Sequence, residues 1–188
     1  DAVSSLYPAH SDRILKYNKI RTQKNNFLKS LGGNINAENA LLDVWNEQLA
    51  ITGSNIILLR LNFLKELLKY ARQKHSHISL KETLSIVYNS SIVEDIDVED
   101  VSEWTSAKIA EKFYERLDEK RNEEIIRAQS VVGPHRDDVS FFIDNINSQK
   151  FASQGQQRTI VLALKLAEIE LIRSKTGYNA ILLLDDVL

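Results

Sequence analysis

Residues 152–159 read Ala-Ser-Gln-Gly-Gln-Gln-Arg-Thr, and residues 181–186 read Ile-Leu-Leu-Leu-Asp-Asp. Apolar residues recur at helical spacing over 154–175, so the first segment predicts a helix that begins at a Ser153 cap. The second segment is a continuous apolar run followed by two acids. It predicts a strand that is buried on both faces of a parallel sheet and carries carboxylates at its carboxyl end.

Each segment is compatible with an ordinary and with a chemical role. Ser153 can simply cap a helix, or the free N–H groups and the small Gly155 can let an anion approach the helix N-terminus. Asp185 and Asp186 can cap a following helix, or they can form a Walker B pattern. In that pattern the first carboxylate holds Mg²⁺ and the second orients or deprotonates an attacking water.

Composition narrows the class of protein. The 188 residues are 43% hydrophobic and carry a formal charge of −2, from 24 basic and 26 acidic side chains. The length indicates one domain, or a domain with an appendage. The slightly negative charge excludes a nucleic-acid-binding protein that is basic along its whole chain. The absence of cysteine excludes disulfides, thiolate metal sites and cysteine nucleophiles. No run of apolar residues is long enough to predict a membrane span.

The region before residue 130 predicts mainly long helices. One helix is expected from Ser11 to a stop at Gly32-Gly33, and a second from 38 to 74 with a kink or break at Gly53-Ser54. Together they predict an antiparallel helical hairpin. A third helix is expected from a cap at Thr105 or Ser106 to about 129.

Short strands and loops are predicted around these helices. Residues 83–88 and 139–143 favour strands, and Asp144-Asn145 favours a turn into a hairpin that Phe151 closes. Residues 94–103 contain six acids and predict a solvated loop.

Basic residues follow the first two predicted helices: Lys16, Lys19, Arg21, Lys24, Lys29, Lys65, Lys69, Arg72 and Lys74. They predict either a solvated helix face or a phosphate-contacting stripe whose affinity falls with salt. His75 and His77 are expected to be exposed. In the segment 133–138, Gly-Pro-His-Arg-Asp-Asp, Arg136 is expected to pair with Asp137 or Asp138. Alternatively, His135 and Arg136 contact nucleotide or the partner subunit.

Four motifs in order resemble the RecF family, the bacterial ABC-type ATPases of recombinational DNA repair. They are Gly-Pro-His-Arg-Asp-Asp (133–138), Phe-Ala-Ser-Gln-Gly-Gln-Gln-Arg-Thr (151–159), Leu-Lys-Leu-Ala-Glu (164–168) and Leu-Leu-Asp-Asp-Val-Leu (183–188). Residues 130–188 match the family almost throughout, and residues 1–129 match it more loosely. In ABC-type ATPases, Leu-Ser-Gly-Gly-Gln occupies the place of 152–156.

The resemblance implies an α/β fold, a fragment of an ABC-type ATPase head (a P-loop NTPase lobe) with an inserted α-helical arm. Residues 1–8 would lead in from the other head lobe, 9–129 would form the arm, and 130–188 would form the C-terminal part of the head. It implies ATP and Mg²⁺ as cofactors. The residues that it assigns to ATP in trans are Ser153, Gln154, Gly155 and Gln156, with Asp185 for the metal and Asp186 for catalysis.

Two departures and one absence modify this expectation. Gln154 replaces the first glycine of the signature, and Asp186 stands where most of the superfamily carries glutamate, so slow turnover is expected. The chain contains no Gly-x-x-x-x-Gly-Lys-[Ser/Thr]. This fragment alone is therefore expected not to hydrolyse ATP, whereas the parent protein is expected to be a slow DNA-linked ATPase.

The resemblance also implies partners and a cellular role. Members bind DNA at single-strand/double-strand junctions of gaps, form ATP-dependent homodimers, work with RecO and RecR, and help to load RecA in replication, recombination and the SOS response. A cytoplasmic location follows. Two alternatives stay open. One is the head of a RecN- or SMC-like ATPase, although the long heptad repeats of those proteins are not visible here. The other is a non-enzymatic module whose arm binds a partner protein.

Overall fold

The computed structural model describes residues 6–35, 40–79 and 81–178. The longest element is the second helix, whose 39 residues span about 58 Å at 1.5 Å per residue. The elements in chain order are α1 (Pro8–Ser30), α2 (Ala40–Ile78), β1 (Leu84–Asn89), β2 (Ile96–Asp97), a 3₁₀ helix (Val98–Glu103), α3 (Ser106–Glu119), α4 (Arg121–Arg127), β3 (Asp138–Ile143), β4 (Ile146–Asn147), α5 (Ser148–Phe151) and α6 (Gln154–Thr176).

Helix α2 is the element against which α1, α3, α6 and β1 all pack. It runs without interruption through Gly53, so of the kink or break predicted at Gly53-Ser54 the break is wrong. A Cβ at Gly53 would lie 2.5 Å from Phe113 Cε1 and 3.2 Å from Tyr17 Cε2. The glycine therefore serves close packing of α1, α2 and α3, and not the end of a helix.

The sheet is small and antiparallel, with strand order β2-β1-β3-β4. The strands predicted at 83–88 and 139–143 are confirmed. Strand β1 pairs with β3 from Leu84 opposite Ile143 to Asn89 opposite Asp138. The predicted turn is also confirmed, since Asp144 and Asn145 have φ angles of 49° and 65°, as a tight hairpin requires.

The chain beyond the hairpin turn differs from the prediction. The hairpin closes at Ile146–Asn147, whereas Phe151 ends the short helix α5. The side chain of Asn147 explains the change, because its Oδ1 accepts from the backbone N–H groups of Gln149 and Lys150, both at 3.1 Å. This cap starts a helical turn where a longer strand was expected.

Two further predictions need correction. Residues 94–103 are not a loop throughout, because Ile96, Val98 and Val101 are buried in a short strand and a 3₁₀ helix while most of the acids stay exposed. The third helix begins as expected, with Thr105 Oγ1 accepting from the Lys108 N–H at 3.2 Å. It is not one helix to residue 129, since it is divided at Lys120 into α3 and α4.

The larger of two clusters of buried apolar side chains in the described residues extends over helices and the sheet. It contains Tyr17, Leu61 and Phe113 together with Ile143 and Leu171, which come from both sides of the 129/130 boundary. The division into an arm (9–129) and a head portion (130–188) stays a prediction. The predicted strand 180–184 lies outside the described residues. Within the described ranges, no helix combines the length and apolar character needed to cross a membrane.

Candidate functional site at the N-terminus of helix α6

Helix α6 begins with a reciprocal cap. Ser153 Oγ accepts from the Gln156 N–H at 3.2 Å, and Gln156 Oε1 accepts from the Ser153 N–H at 2.9 Å. This capping box confirms the predicted helix start and fixes the backbone of 153–156. Because Ser153 Oγ accepts with a lone pair, its own hydroxyl hydrogen stays free to donate.

The remaining donors of the first turn face outward. In the described part of the chain, the N–H groups of Gln154 and Gly155 donate to no acceptor, and the first turn contains no acid. A Cβ at Gly155 would have only Ser153 Oγ near it, at 3.9 Å. A glycine inside a helix costs up to about 1 kcal/mol relative to alanine, and nothing in the described residues requires one here. The space above Gly155 is therefore open to a ligand or to another chain.

The side chain of Gln156 is occupied within the chain. Its Nε2 donates to Glu82 Oε1 at 2.8 Å, and Glu82 Oε2 accepts from Ser79 Oγ at 2.7 Å. These two hydrogen bonds, from Ser79 first and Gln156 second, hold the pKa of Glu82 below its usual value. The structure thus gives Gln156 an orienting partner that the sequence did not suggest.

The first turn of α6 has the features of an anion-binding helix N-terminus. Free N–H groups, the helix dipole and the Ser153 hydroxyl all favour a bound anion. The predicted Mg²⁺ ligand Asp185 and the predicted catalytic Asp186 lie outside the described residues. Within the described ranges, no group of three His, Cys, Asp or Glu residues could hold a metal ion.

The segment 133–138 contacts α1. Gly133 has a φ of 128°, and a Cβ there would overlap the Tyr17 hydroxyl and lie 2.9 Å from Phe113 Cζ. Tyr17 donates its hydroxyl hydrogen to His135 Nδ1 at 2.8 Å. Burial first, and Arg21 second, lower the pKa of His135 to about 4. The ring is therefore neutral at pH 7 and acts as a structural acceptor.

The two acids of this segment do not pair with Arg136, so the predicted salt bridge is wrong for the described residues. Asp137 Oδ2 accepts from the Tyr88 hydroxyl at 2.7 Å, and its Oδ1 accepts from Ser91 N and Oγ at 2.8 and 2.7 Å. Burial nevertheless raises the pKa of Asp137 above its usual value. Arg136 is exposed.

Lys24 is buried and is not part of the predicted basic helix face. Its side chain is 0% exposed, and its Nζ lies 2.5 Å from Glu124 Oε2, whose own side chain is also fully buried. Burial raises the pKa of Glu124 and lowers that of Lys24. Glu124 Oε1 also accepts from the Val131 N–H at 2.9 Å. Lys24 is thus an internal tie between α1 and α4 and cannot contact a phosphate.

Other members of the stripe have different surroundings. Lys16, Lys19 and Lys29 are exposed on α1, as predicted. Arg72 instead forms a two-pronged ion pair with Glu99, with both N–O distances at 2.7 Å. His77 is exposed as expected. The expectation for His75 is wrong, because its ring is 1% exposed and its Nε2 lies 3.7 Å from Glu82 Oε2.

Sequence reasoning missed Glu82 and Glu124 as partners of motif residues. Glu82 is 74 positions from Gln156, and Glu124 is 100 positions from Lys24. No local pattern joins residues at such distances. The one available signal was the helical periodicity that places Lys24 between the apolar Ile20 and Leu28, on the buried face of α1.

Two curated relatives of the chain have the same name. No protein-family model matches it. The "DNA replication and repair protein RecF" of Bacillus thuringiensis (strain Al Hakam) and that of Bacillus cereus (strain B4264) are each 43% identical over 188 residues, which is 99% of this chain and 48% of the relative. The chain thus spans about half the length of these curated relatives.

Solved structures agree with this similarity. Two structures, described as the recombination mediator protein RecF-ATP and RecF-ATPrS in the RecFOR pathway, superpose with a TM-score of 0.87 at 33% identity. The superposition covers 99% of this chain and 48% of each neighbour. The predicted fold class, a fragment of an ABC-type ATPase head with a helical arm, is confirmed.

Proposed function

The chain belongs to the RecF family, and on that basis we propose that it forms part of an ATP-dependent protein of DNA repair, replication and recombination. In this proposal the full-length protein binds DNA at single-strand/double-strand junctions of gaps. It works with RecO and RecR and helps to load RecA, in the cytoplasm and as part of the SOS response. The names of the relatives and the titles of the solved neighbours support this assignment.

The main observation behind the proposal is that the first turn of α6 is fixed by a capping box and still leaves its outer side accessible to a ligand. Among the described residues, the Ser153 hydroxyl hydrogen and the N–H groups of Gln154 and Gly155 have no acceptor, and no side chain covers Gly155. Three donors at a helix N-terminus suit the γ-phosphate of a nucleotide. Gln156 stabilises this turn through its backbone and its capping amide.

The nucleotide that α6 contacts would be bound mainly by a second copy of the protein. The sequence contains no Walker A loop, so the phosphate cradle belongs to the part of the full-length relatives that this chain does not match. In the dimer, Ser153 and Gly155 contact ATP held by the other copy. Asp185 holds Mg²⁺ and Asp186 orients the attacking water for the ATP of its own copy. Mg²⁺ neutralises charge on the phosphates when it is bound.

The helical region supplies the second half of the proposal. Residues 9–129 act as an arm beside the head portion 130–188, and the exposed Lys16, Lys19 and Lys29 give α1 a basic face that can contact DNA phosphates. Because Asp186 is one methylene shorter than glutamate, hydrolysis is slow, and the nucleotide state controls assembly on DNA more than it drives rapid turnover.

The test is sedimentation velocity of the full-length protein with and without Mg-ATP, with Ser153→Arg as the variant. The control is Ser174→Arg, which places the same side chain at the opposite end of α6, where the Ser174 hydroxyl only bonds Leu171 O. Wild type and control are expected to shift from monomer to dimer with ATP. Ser153→Arg is expected to stay monomeric while nucleotide binding changes by less than a few-fold.

Two results would contradict the proposal. Loss of nucleotide binding in Ser153→Arg would mean that Ser153 acts on the nucleotide of its own subunit. A wild-type protein that does not dimerise with ATP, even with gapped DNA present, would favour the arm as a protein-interaction module.

A further inference from the structure

Glu82 lies between the end of α2 and the start of β1, and it touches the signature turn directly. Its Oε1 accepts from Gln156 Nε2 at 2.8 Å, and the same Gln156 side chain accepts from the Ser153 N–H. The carboxylate therefore holds the amide that completes the cap. Its side chain is 23% exposed, so water competes only weakly for this contact.

The other carboxylate oxygen of Glu82 belongs to the end of α2. Oε2 accepts from Ser79 Oγ at 2.7 Å and lies 3.7 Å from the buried His75 Nε2. The neighbouring Thr83 is fixed as well, because its N–H donates to Asp144 Oδ1 at 2.9 Å. Glu82 is thus held from the α2 side while it bonds to the α6 side, with little freedom to rotate away.

We propose that Glu82 is a positioning residue for the signature motif, which orients Gln156 and thereby couples the C-terminal end of α2 to the ATP-dependent dimer contact. This inference rests on the proposed function, because it names what places the same site. A displacement of the end of α2 moves Ser79 and Glu82 together. It thereby weakens the cap that presents Ser153 and Gly155 to the nucleotide of the other copy.

Other polar contacts between α2 and α6 do not reach the signature. Lys74 lies 3.5 Å from Glu170, and Lys175 lies 2.8 Å from Glu66, both far from the first turn of α6. They tie the same two helices without touching residues 153–156. Removing one of these ion pairs is therefore a control for the Glu82 variant, because it weakens the packing of α2 on α6 without touching the signature turn.

The experiment measures ATP-dependent dimerisation of the full-length protein by sedimentation, nucleotide binding by the monomer, and the urea midpoint. Glu82→Ala is expected to weaken the dimer about tenfold or more, since each dimer loses two charged hydrogen bonds. Its nucleotide affinity is expected to match that of the control Glu170→Ala. Its urea midpoint is expected to be lower than that of Glu170→Ala, because Glu82→Ala also removes the acceptor of Ser79 Oγ. Glu82→Gln keeps an acceptor for Gln156 and is expected to restore dimerisation to within about threefold of wild type, because a neutral acceptor keeps most of the bond.

A double-mutant cycle separates positioning from general support. If Glu82 acts through Gln156, Glu82→Ala has no further effect on dimerisation in a Gln156→Ala background. Additive losses, or equal losses in Glu82→Ala and Glu170→Ala, would overturn the inference.

The outcome for Ser153→Arg distinguishes this failure from failure of the proposed function. If Ser153→Arg abolishes the dimer while Glu82→Ala behaves as the control does, only the positioning role of Glu82 is lost. If Ser153→Arg leaves the dimer intact, the signature assignment fails, and the role of Glu82 fails with it.

Discussion

Replacing Lys24 by methionine tests the buried ion pair between α1 and α4. Methionine fills much of the same volume, but it leaves the Glu124 carboxylate without its cation at 0% exposure. Breaking a buried pair by removing one partner costs about 3–5 kcal/mol. Glu124 keeps one hydrogen bond, from the Val131 N–H at 2.9 Å. The expected loss at pH 8 is therefore at the lower end, about 3 kcal/mol.

The loss should depend on pH in a defined direction. Burial already raises the pKa of Glu124 above its ordinary value of 4.5, and removal of Lys24 raises it further. Above pH 4.5 the unfolded state then binds fewer protons than the folded state, so the free energy of unfolding falls as pH rises. Lys24→Met is thus expected to be less destabilised at pH 5, where Glu124 can take up a proton, than at pH 8.

The assay is urea unfolding followed by circular dichroism at pH 5 and pH 8. Lys29→Met is the control, because Lys29 is an exposed lysine on the same helix, and its loss should cost about 0.5 kcal/mol or less. The double variant Lys24→Met/Glu124→Gln keeps an acceptor for Val131 without a charge, and should lose the added pH dependence. Equal, pH-independent losses in Lys24→Met and Lys29→Met would refute the reasoning.

Two predictions concern the Gly133–His135 segment. Gly133→Ala should lower the free energy of unfolding by about 2–4 kcal/mol, because the alanine side chain meets both an unfavourable positive φ and a steric overlap with Tyr17. Gly32→Ala is the control. Gly32 also has a positive φ but no neighbouring atom close to its Cβ position, so this substitution should cost only about 1 kcal/mol. The lowered pKa of His135 predicts that stability falls as pH drops from 6.5 towards 4, since the unfolded state then binds more protons. His135→Asn should flatten that slope in thermal unfolding scans, and an unchanged slope would assign it to other groups.

Local patterns predicted the elements that local interactions determine. The Ser153 cap, the Thr105 cap and the Asp144-Asn145 turn each depend on residues within a few positions, and all three are present. The same reasoning failed at Gly53. A glycine in a helix is read as a break, whereas here it accommodates Phe113, a residue 60 positions later in the chain.

The sequence motif of the candidate site could be predicted, but the distant side chains that hold its residues in place could not. The resemblance of residues 152–156 to the ABC signature predicts the site, and the Ser153 cap that the sequence predicts there is present. Nothing in the sequence connected Gln156 with Glu82, or Lys24 with Glu124. A buried charge is tolerated only when its partner is present, and the partner is chosen by the tertiary fold.

Side-chain contacts between α1 and residues at least 100 positions later in the sequence also affect the order of events during protein synthesis. Tyr17 needs His135, 118 positions onward, and Lys24 needs Glu124, 100 positions onward. A ribosome that adds about 5–20 residues per second takes about 5–20 s to synthesise a hundred residues. Until Glu124 is synthesised, burial of the Lys24 ammonium group is uncompensated. The final packing of α1 around Lys24 is therefore completed only after synthesis has passed Glu124.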